Sequence, residues 1–420
     1  MGGCQPDIVT YDNGYDDGLT PAGPPAISSI VLALDTAETP SGIEVAAMGD
    51  LITILGTNLS QVQSITFNGV PADSREWTAV NSYITVPIPR EIISDEQAAQ
   101  KKVVVTTSKG SAEYTLAVGA PKLLVDGFYN EFASAGDTID IIGDNFDLFQ
   151  FATSGKVKLQ DGTDADTFPI YNVTRNILTV VIPKETLDGA LISVTSDFYQ
   201  EKTGGDPLTI SFRENGFSLM SPENYENWDK KINHGTDGSN KGDPKPLKGL
   251  HRNWFIYVKG ALKTQWIWGG GVNALGANAN GYEAVVANPE NYEVKFEILT
   301  RQPLAGKQAI GFEYNGKDEV FWEAGESVAF STNGKWKTVR FSAEEIMLAK
   351  NIRSPNGNGT KKVVTSEYCG LGLDYSQAAG EPNVDFAICN FRVVPKRGDV
   401  PPTYEHISWA SGWFDRYKEE

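Results

Sequence analysis

The chain has 420 residues, 40% of them hydrophobic and 21% charged, with a formal net charge of −18. That length exceeds one ordinary core and implies two to four domains, and the balance of apolar and charged residues is that of folded chains. The acidic surplus disfavours nucleic acid, anionic membrane surfaces and polyanionic substrates, so a neutral partner is expected.

Charge and tryptophan are segregated along the chain. Residues 1–212 hold 28 Asp and Glu against 11 Lys and Arg, whereas residues 213–420 hold 26 against 25. Eight of the nine tryptophans follow residue 212. The first half reads as an acidic support, and the second as the place to seek a ligand. Glycine and β-branched residues are plentiful and long helical stripes are scarce, so the expected class is all-β. No apolar run reaches the roughly 18 residues that a membrane-spanning helix needs.

Taken in chain order, Cys4 heads a stretch rich in Asp, Gly and Pro (Asp7, Asp12, Asp16, Asp17, Pro21, Pro24, Pro25). Residues 1–25 therefore read as a flexible tether. An internal repeat follows. Gly49-Asp50-Leu51-Ile52-Thr53-Ile54-Leu55-Gly56-Thr57-Asn58-Leu59 recurs as Gly136-Asp137-Thr138-Ile139-Asp140-Ile141-Ile142-Gly143-Asp144-Asn145-Phe146. Ile84-Thr85-Val86-Pro87 finds a similar echo in Leu178-Thr179-Val180-Val181. In each copy a Gly-Asp turn opens a strand whose alternate isoleucines share a face. Further strands are expected at Ser64–Phe67, with an Asn68-Gly69 turn, and at Lys102–Thr107, with a Lys109-Gly110 turn. The reading is two Ig-like β-sandwiches, at 26–118 and 119–212, the second departing from the first over Leu148–Gly162.

Residues 213–420 have another texture, that of a larger β-sandwich or jelly roll. Strands are expected at Tyr292–Leu299, Gln308–Tyr314, Val320–Glu323 and Lys335–Phe341. A short helix is expected over Ala343–Ala349, with Ser342 and Glu345 as its capping box. The long Gly- and Asn-rich loops Gly235–Gly249 and Gly269–Gly281 are where binding surfaces often sit.

A two-residue turn at Asn315-Gly316 would put Ile310, Phe312 and Phe321 on a core face. Gly311, Glu313, Asp318, Val320 and Trp322 would fall on the other, so Trp322 is expected to stand exposed and face a ligand. Trp266 and Trp268, two apart and leading into Gly269-Gly270-Gly271, project to one side of a strand. They read either as a stacking platform for sugar rings or as sandwich core. Tyr257, Tyr282 and Tyr314 could extend such a platform, though with sixteen tyrosines in the chain each is weak evidence. Trp254 and Trp336 read as core, and Trp77 as packing in the first sandwich.

Glu313 and Glu323, with Asp318, read as contacts to sugar hydroxyls. Glycoside hydrolysis needs two carboxylates about 5–10 Å apart, but this cluster lacks the Glu-x-Asp-x-x-Glu pattern of jelly-roll glucanases, so no catalytic residue is expected. His234, His251 and His406 lack ligand spacing, and neither metal nor cofactor is expected. Cys389 reads as a small buried hydrophobe; a disulfide with Cys369 is left open.

Several motifs carry resemblances. Gly-Asp at 49–50, Ile52-Thr53-Ile54, Gly56-Thr57-Asn58-Leu59 and Phe67-Asn68-Gly69-Val70 resemble the Ig-like fold of the IPT/TIG family. Cys4 and its tether resemble the lipid-attachment end of a bacterial lipoprotein. Gly334-Lys335-Trp336-Lys337-Thr338-Val339 and Asn390-Phe391-Arg392-Val393-Val394 are similar to late strands of carbohydrate-binding modules. Together these features resemble the surface glycan-binding lipoproteins of Bacteroidota polysaccharide-utilisation loci. The resemblance implies an outer-membrane lipid anchor at Cys4, Ig-like spacers, and a non-catalytic terminal domain. That domain would capture a neutral polysaccharide, such as xyloglucan or a β-glucan, for a TonB-dependent transporter. A protein-binding adhesin and a jelly-roll hydrolase remain the alternatives.

Overall fold

The computed structural model describes residues 20–35, 41–91, 95–184, 186–214, 217–218, 232–235, 255–261, 266–272, 282–304, 309–314, 318–322, 328–344, 369–374, 383–396 and 408–410. These fall into two units, Met1–Leu123 and Leu124–Glu420. The fold is all-β.

In the first unit the strand Leu51–Thr57 lies antiparallel between Ala26–Leu32 and Tyr83–Pro87. Its alternation buries Ile52 and Ile54 completely. A second sheet orders Val70–Pro71, Val62–Phe67, Lys102–Thr107 and Gly110–Thr115, and buries Ile65, Phe67, Val103 and Val105. The Asn68-Gly69 turn forms as expected, both residues having positive φ. The next turn is displaced by one residue: Thr107 pairs with Gly110, so Ser108 and Lys109 make it.

The second sandwich repeats this plan. Thr138–Asp144 lies between Leu124–Phe128 and Ile177–Val181. A second sheet orders Gly155–Leu159, Ala190–Ser196 and Leu208–Phe212. Gly56 and Gly143 share one reason for being glycine: a Cβ at either would collide with a backbone carbonyl of the neighbouring strand, that of Ala26 or Leu124. Where the copies diverge, the short helix Phe151–Ser154 precedes the strand Gly155–Leu159. Phe146 and Phe151 meet edge to face there at 5.2 Å, which anchors the inserted turn in the core.

The terminal domain has two sheets. The larger orders Ile232–Gly235, Phe255–Ala261, Asn383–Pro395, Tyr292–Thr300 and Lys337–Ser342, with Phe217–Ser218 pairing beside Asn383–Pro395. The smaller orders Trp266–Val272, Cys369–Asp374, Ala309–Tyr314, Asp318–Trp322 and Ser408–Ala410. Of the expected helix, Ala343 and Glu344 are helical and Glu345 lies outside the described residues. Cys389 is a free, fully buried thiol in the larger sheet, so it makes no disulfide with Cys369.

Strand Tyr292–Thr300 is buried on both faces. One face, with Val294, Phe296 and Ile298, belongs to the apolar core. The other presents Glu293, Lys295 and Glu297. Cross-strand pairing sets Lys295 opposite Arg340 on one side and Arg392 on the other. Three cations in one row repel each other unless an anion intervenes, and the second Ig-like sandwich supplies it. Glu131, wholly buried, accepts from Lys295 at 2.7 Å, Arg392 at 3.0 Å and Arg340 at 3.4 Å. Arg392 also grips Glu297 through both carboxylate oxygens, at 2.9 and 3.0 Å.

The backbone joins the same contact. The Thr338 amide donates to the Tyr129 carbonyl at 2.8 Å, and the Glu131 amide to Thr338 Oγ1 at 3.1 Å. Arg340 donates to the Asp126 carbonyl beside Gly127, whose φ is +132° and whose missing Cβ leaves room for the guanidinium. Phe132 completes the contact, packing in a buried cluster with Phe255, Tyr257, Leu299, Trp336, Ala387 and Cys389.

Candidate functional site

The hairpin that carries Trp322 settles that residue's position. Tyr314 pairs with Asp318 and Ile310 with Trp322, so three residues rather than two separate the paired ends. A slip of one residue exchanges the faces of a strand. Trp322 accordingly shares its face with Ile310 and Val320, and it is 2% exposed. Its ring meets Phe296 at 5.7 Å, Phe330 at 5.1 Å and Phe341 at 5.6 Å, all edge to face. The expectation of an exposed, ligand-facing Trp322 is therefore corrected: it is the central core ring between the two sheets.

That burial orients the smaller sheet. Trp322 pairs with Ile310, Ile310 with Leu373, and Leu373 with Ile267, one row on the core face. The neighbouring positions belong to the opposite face. Trp268 stands in a row with Gly372, Gly311 and Phe321, and Trp266 in a row with Asp374 and Ala309. Glu313, opposite Gly370 and Glu319, shares that second face. Register thus brings positions 266, 268 and 313 together and separates them from Trp322 and Tyr314. Two positions in the Trp268 row, Gly372 and Gly311, are glycines, which form a glycine lane in the register of this face. Tyr282 begins the short helix Tyr282–Ala287. Glu323 and Cys4 lie outside the described residues, as do Trp254, His251 and His406.

Two other aromatics are core. Trp336 is 8% exposed, as its sequence context suggests. Tyr257, a weak platform candidate from sequence, is 3% exposed and donates its hydroxyl to Asp385 at 2.9 Å. Burial and that hydrogen bond push its pKa up to about 12, so it stays protonated.

The charged contact with the second sandwich carried no signal that singled it out in the sequence. Burial alone would raise the Glu131 carboxyl, but Lys295, Arg392 and Arg340 hold it at about 2. Burial, opposed by Arg392 and reinforced by Glu131, pushes Glu297 up to about 7. Alternating Glu293, Lys295 and Glu297 looks in sequence like any strand with one face in water.

Residues 220–395 match the family model of the surface glycan-binding protein B xyloglucan binding domain. For the terminal domain, the match bears out the resemblance to surface glycan-binding proteins drawn from the sequence. Among solved structures, the chain is similar to the surface glycan-binding protein PbSGBP-B from Prevotella bryantii, with 18% identity, 89% of this chain and 99% of that chain covered, and a TM-score of 0.41. It is also similar to SGBP-B from a complex xyloglucan utilization locus in Bacteroides uniformis, at 14% identity, 89% and 99% coverage and a TM-score of 0.40. A third is SGBP-B of the Bacteroides ovatus mixed-linkage glucan utilization locus, solved with a mixed-linkage heptasaccharide, at 13% identity, 85% and 75% coverage and a TM-score of 0.32. No curated protein matches the chain. Among the described residues no helix is long and apolar enough to cross a membrane.

Proposed function

We propose that the chain is a non-catalytic cell-surface protein that captures a neutral polysaccharide of the xyloglucan or β-glucan type. The observation that carries this reading is the match of residues 220–395 to a xyloglucan binding domain. The register of the smaller sheet supports a location. Positions 266 and 268 share a face with a glycine lane, where indole rings could stack on the apolar faces of successive sugars, and Glu313 on the same face could accept from hydroxyls. Cys4 is the proposed lipid-attachment residue and the first Ig-like sandwich a spacer, with uptake by a TonB-dependent transporter the destination of the captured glycan.

Affinity electrophoresis of the whole protein against neutral and acidic polysaccharides tests the reading; retardation by a neutral β-glucan is expected, and retardation by none overturns it. The Trp266→Ala/Trp268→Ala double variant should weaken that retardation several-fold while leaving the melting temperature within a few degrees. Glu313 pairs with Glu319 on one face, and two nearby carboxylates are what hydrolysis requires. Glycan chain length after prolonged incubation should therefore stay unchanged; release of oligosaccharides that Glu313→Gln abolishes would promote the hydrolase instead.

A further inference from the structure

The second Ig-like sandwich and the terminal domain enclose a cleft of about 560 Å³, within the size range of small-ligand sites, which favour domain interfaces. Its apolar floor is Ile139 from the Ig-like side and Leu299 and Trp336 from the terminal side, all buried. Tyr129, half-buried, forms an aromatic wall. The rim is polar and of both signs, with Asn130 and Asp140 from one domain and Arg301 and Lys335 from the other.

We infer that this cleft is a second saccharide-binding site, built jointly by the two domains and taking a short segment of a neutral oligosaccharide. The inference rests on the glycan reading above for its ligand class, but its location is independent of positions 266 and 268. The cleft adjoins the face of the larger sheet that Glu131 covers, while those positions lie on the far face of the smaller sheet.

The chemistry of the lining selects the ligand. A pyranose has one apolar face and a ring of hydroxyls that both donate and accept. Tyr129 offers a ring to the first. Asp140 accepts while Lys335 and Asn130 donate to the second. A purely apolar ligand would leave the charged rim desolvated and unpaired. A compact anion could pair with Arg301 and Lys335 but would set its charge against Asp140 and leave the Tyr129 ring uncovered. Asp140 is held in place by Thr179 Oγ1, which donates to it at 2.6 Å. Burial and the Asp140 charge raise the Tyr129 pKa, which keeps the phenol neutral and able to donate. The walls are also preformed, because the Thr338–Tyr129 backbone bond and the buried Glu131 pairs fix one domain against the other. A rigid site avoids the ordering cost that a mobile one bears.

The test is calorimetric titration of the full chain with a xylogluco-oligosaccharide too short to reach both sites. Wild type should bind two equivalents. Tyr129→Ala/Lys335→Ala should bind one, with its melting temperature within a few degrees of wild type, and Trp266→Ala/Trp268→Ala should retain one. As a second measurement, saturating oligosaccharide should slow acetylation of Lys335 by acetic anhydride several-fold in wild type and in the double tryptophan variant alike. One equivalent in wild type, lost on changing Trp266 and Trp268 with Lys335 unprotected, overturns this inference and leaves the glycan reading intact. No binding of any neutral glycan overturns both. Protection of Lys335 by an acidic oligosaccharide and not by a neutral one overturns the ligand class.

Discussion

The two Ig-like sandwiches are copies of one plan, and they differ most where the first strand ends. Register matches Ile30, opposite Ile54, with Phe128, opposite Ile141. Counting on from there sets Ala33 and Leu34 of the first copy against Glu131 and Phe132 of the second. Leu34 is 81% exposed, whereas Glu131 and Phe132 are 0% and 3% exposed. At the bulge before them, Ser29 corresponds to Gly127. Glu131, Phe132 and Gly127 are thus three of the positions through which the second copy packs against the terminal domain. Sequence likeness between repeats reports their internal packing and says nothing about which outer edge has been recruited to a partner.

The largest expected effects come from breaking that contact. Glu131→Gln removes the buried carboxylate that Lys295, Arg340 and Arg392 share, leaving Glu293 on Lys295 and Glu297 on Arg392, and should cost about 3–5 kcal/mol of unfolding free energy. Phe132→Ala should cost a similar ~3–5 kcal/mol. Leu34→Ala, its counterpart in the first copy, should stay within about 0.5 kcal/mol. Urea unfolding of the full chain checks all three; a Glu131→Gln midpoint equal to wild type would refute the charge argument.

A pH series sharpens the same point. With Glu297 near 7 in the folded chain against an ordinary 4.5, the native state holds a proton between those values that the unfolded chain has released. Stability should therefore fall as pH rises from 4.5 through 7, by on the order of 3 kcal/mol, and Glu297→Gln should flatten that slope. Glu131 acts in the opposite sense: held near 2, it contributes stability above pH 4.5 that is lost as pH falls toward 2. Denaturant midpoints between pH 3 and pH 8, where the two windows separate, measure both.

A smaller effect is expected at the bulge. Gly127→Ala places a methyl group against Arg340 at a φ of +132° and should cost roughly 1–3 kcal/mol. Ser29→Ala should be nearly silent, within about 0.5 kcal/mol. Equal losses at both positions would show that the bulge, and not the arginine, sets the cost.

Much of the fold was legible because the signals are local. Gly49-Asp50 and Gly136-Asp137 mark turns, Ile52/Ile54 and Ile139/Ile141 mark buried strand faces, and Asn68-Gly69 marks a hairpin. What the sequence hid is non-local. Glu293-Val294-Lys295-Phe296-Glu297 has the alternation of a strand half in water, and only assembly reveals that another domain covers the charged side. The site was legible in part. The parity of Trp266 and Trp268 follows from strand geometry, but Trp322 was placed on the wrong face because its side depends on whether two or three residues separate the paired ends of its hairpin.

That dependence has an evolutionary reading. Loop lengths usually drift with little consequence, since a residue more or less costs only a fraction of a kcal/mol in closure entropy. Between Tyr314 and Asp318 the tolerance should be absent. Deleting one residue there would either strain the hairpin or roll its second strand over, withdrawing Trp322 from Phe296, Phe330 and Phe341 and driving Glu319 inward. Among descendants of this chain, insertions and deletions in that short connection should be rarer than in the surrounding loops, and those that survive should come in pairs of residues.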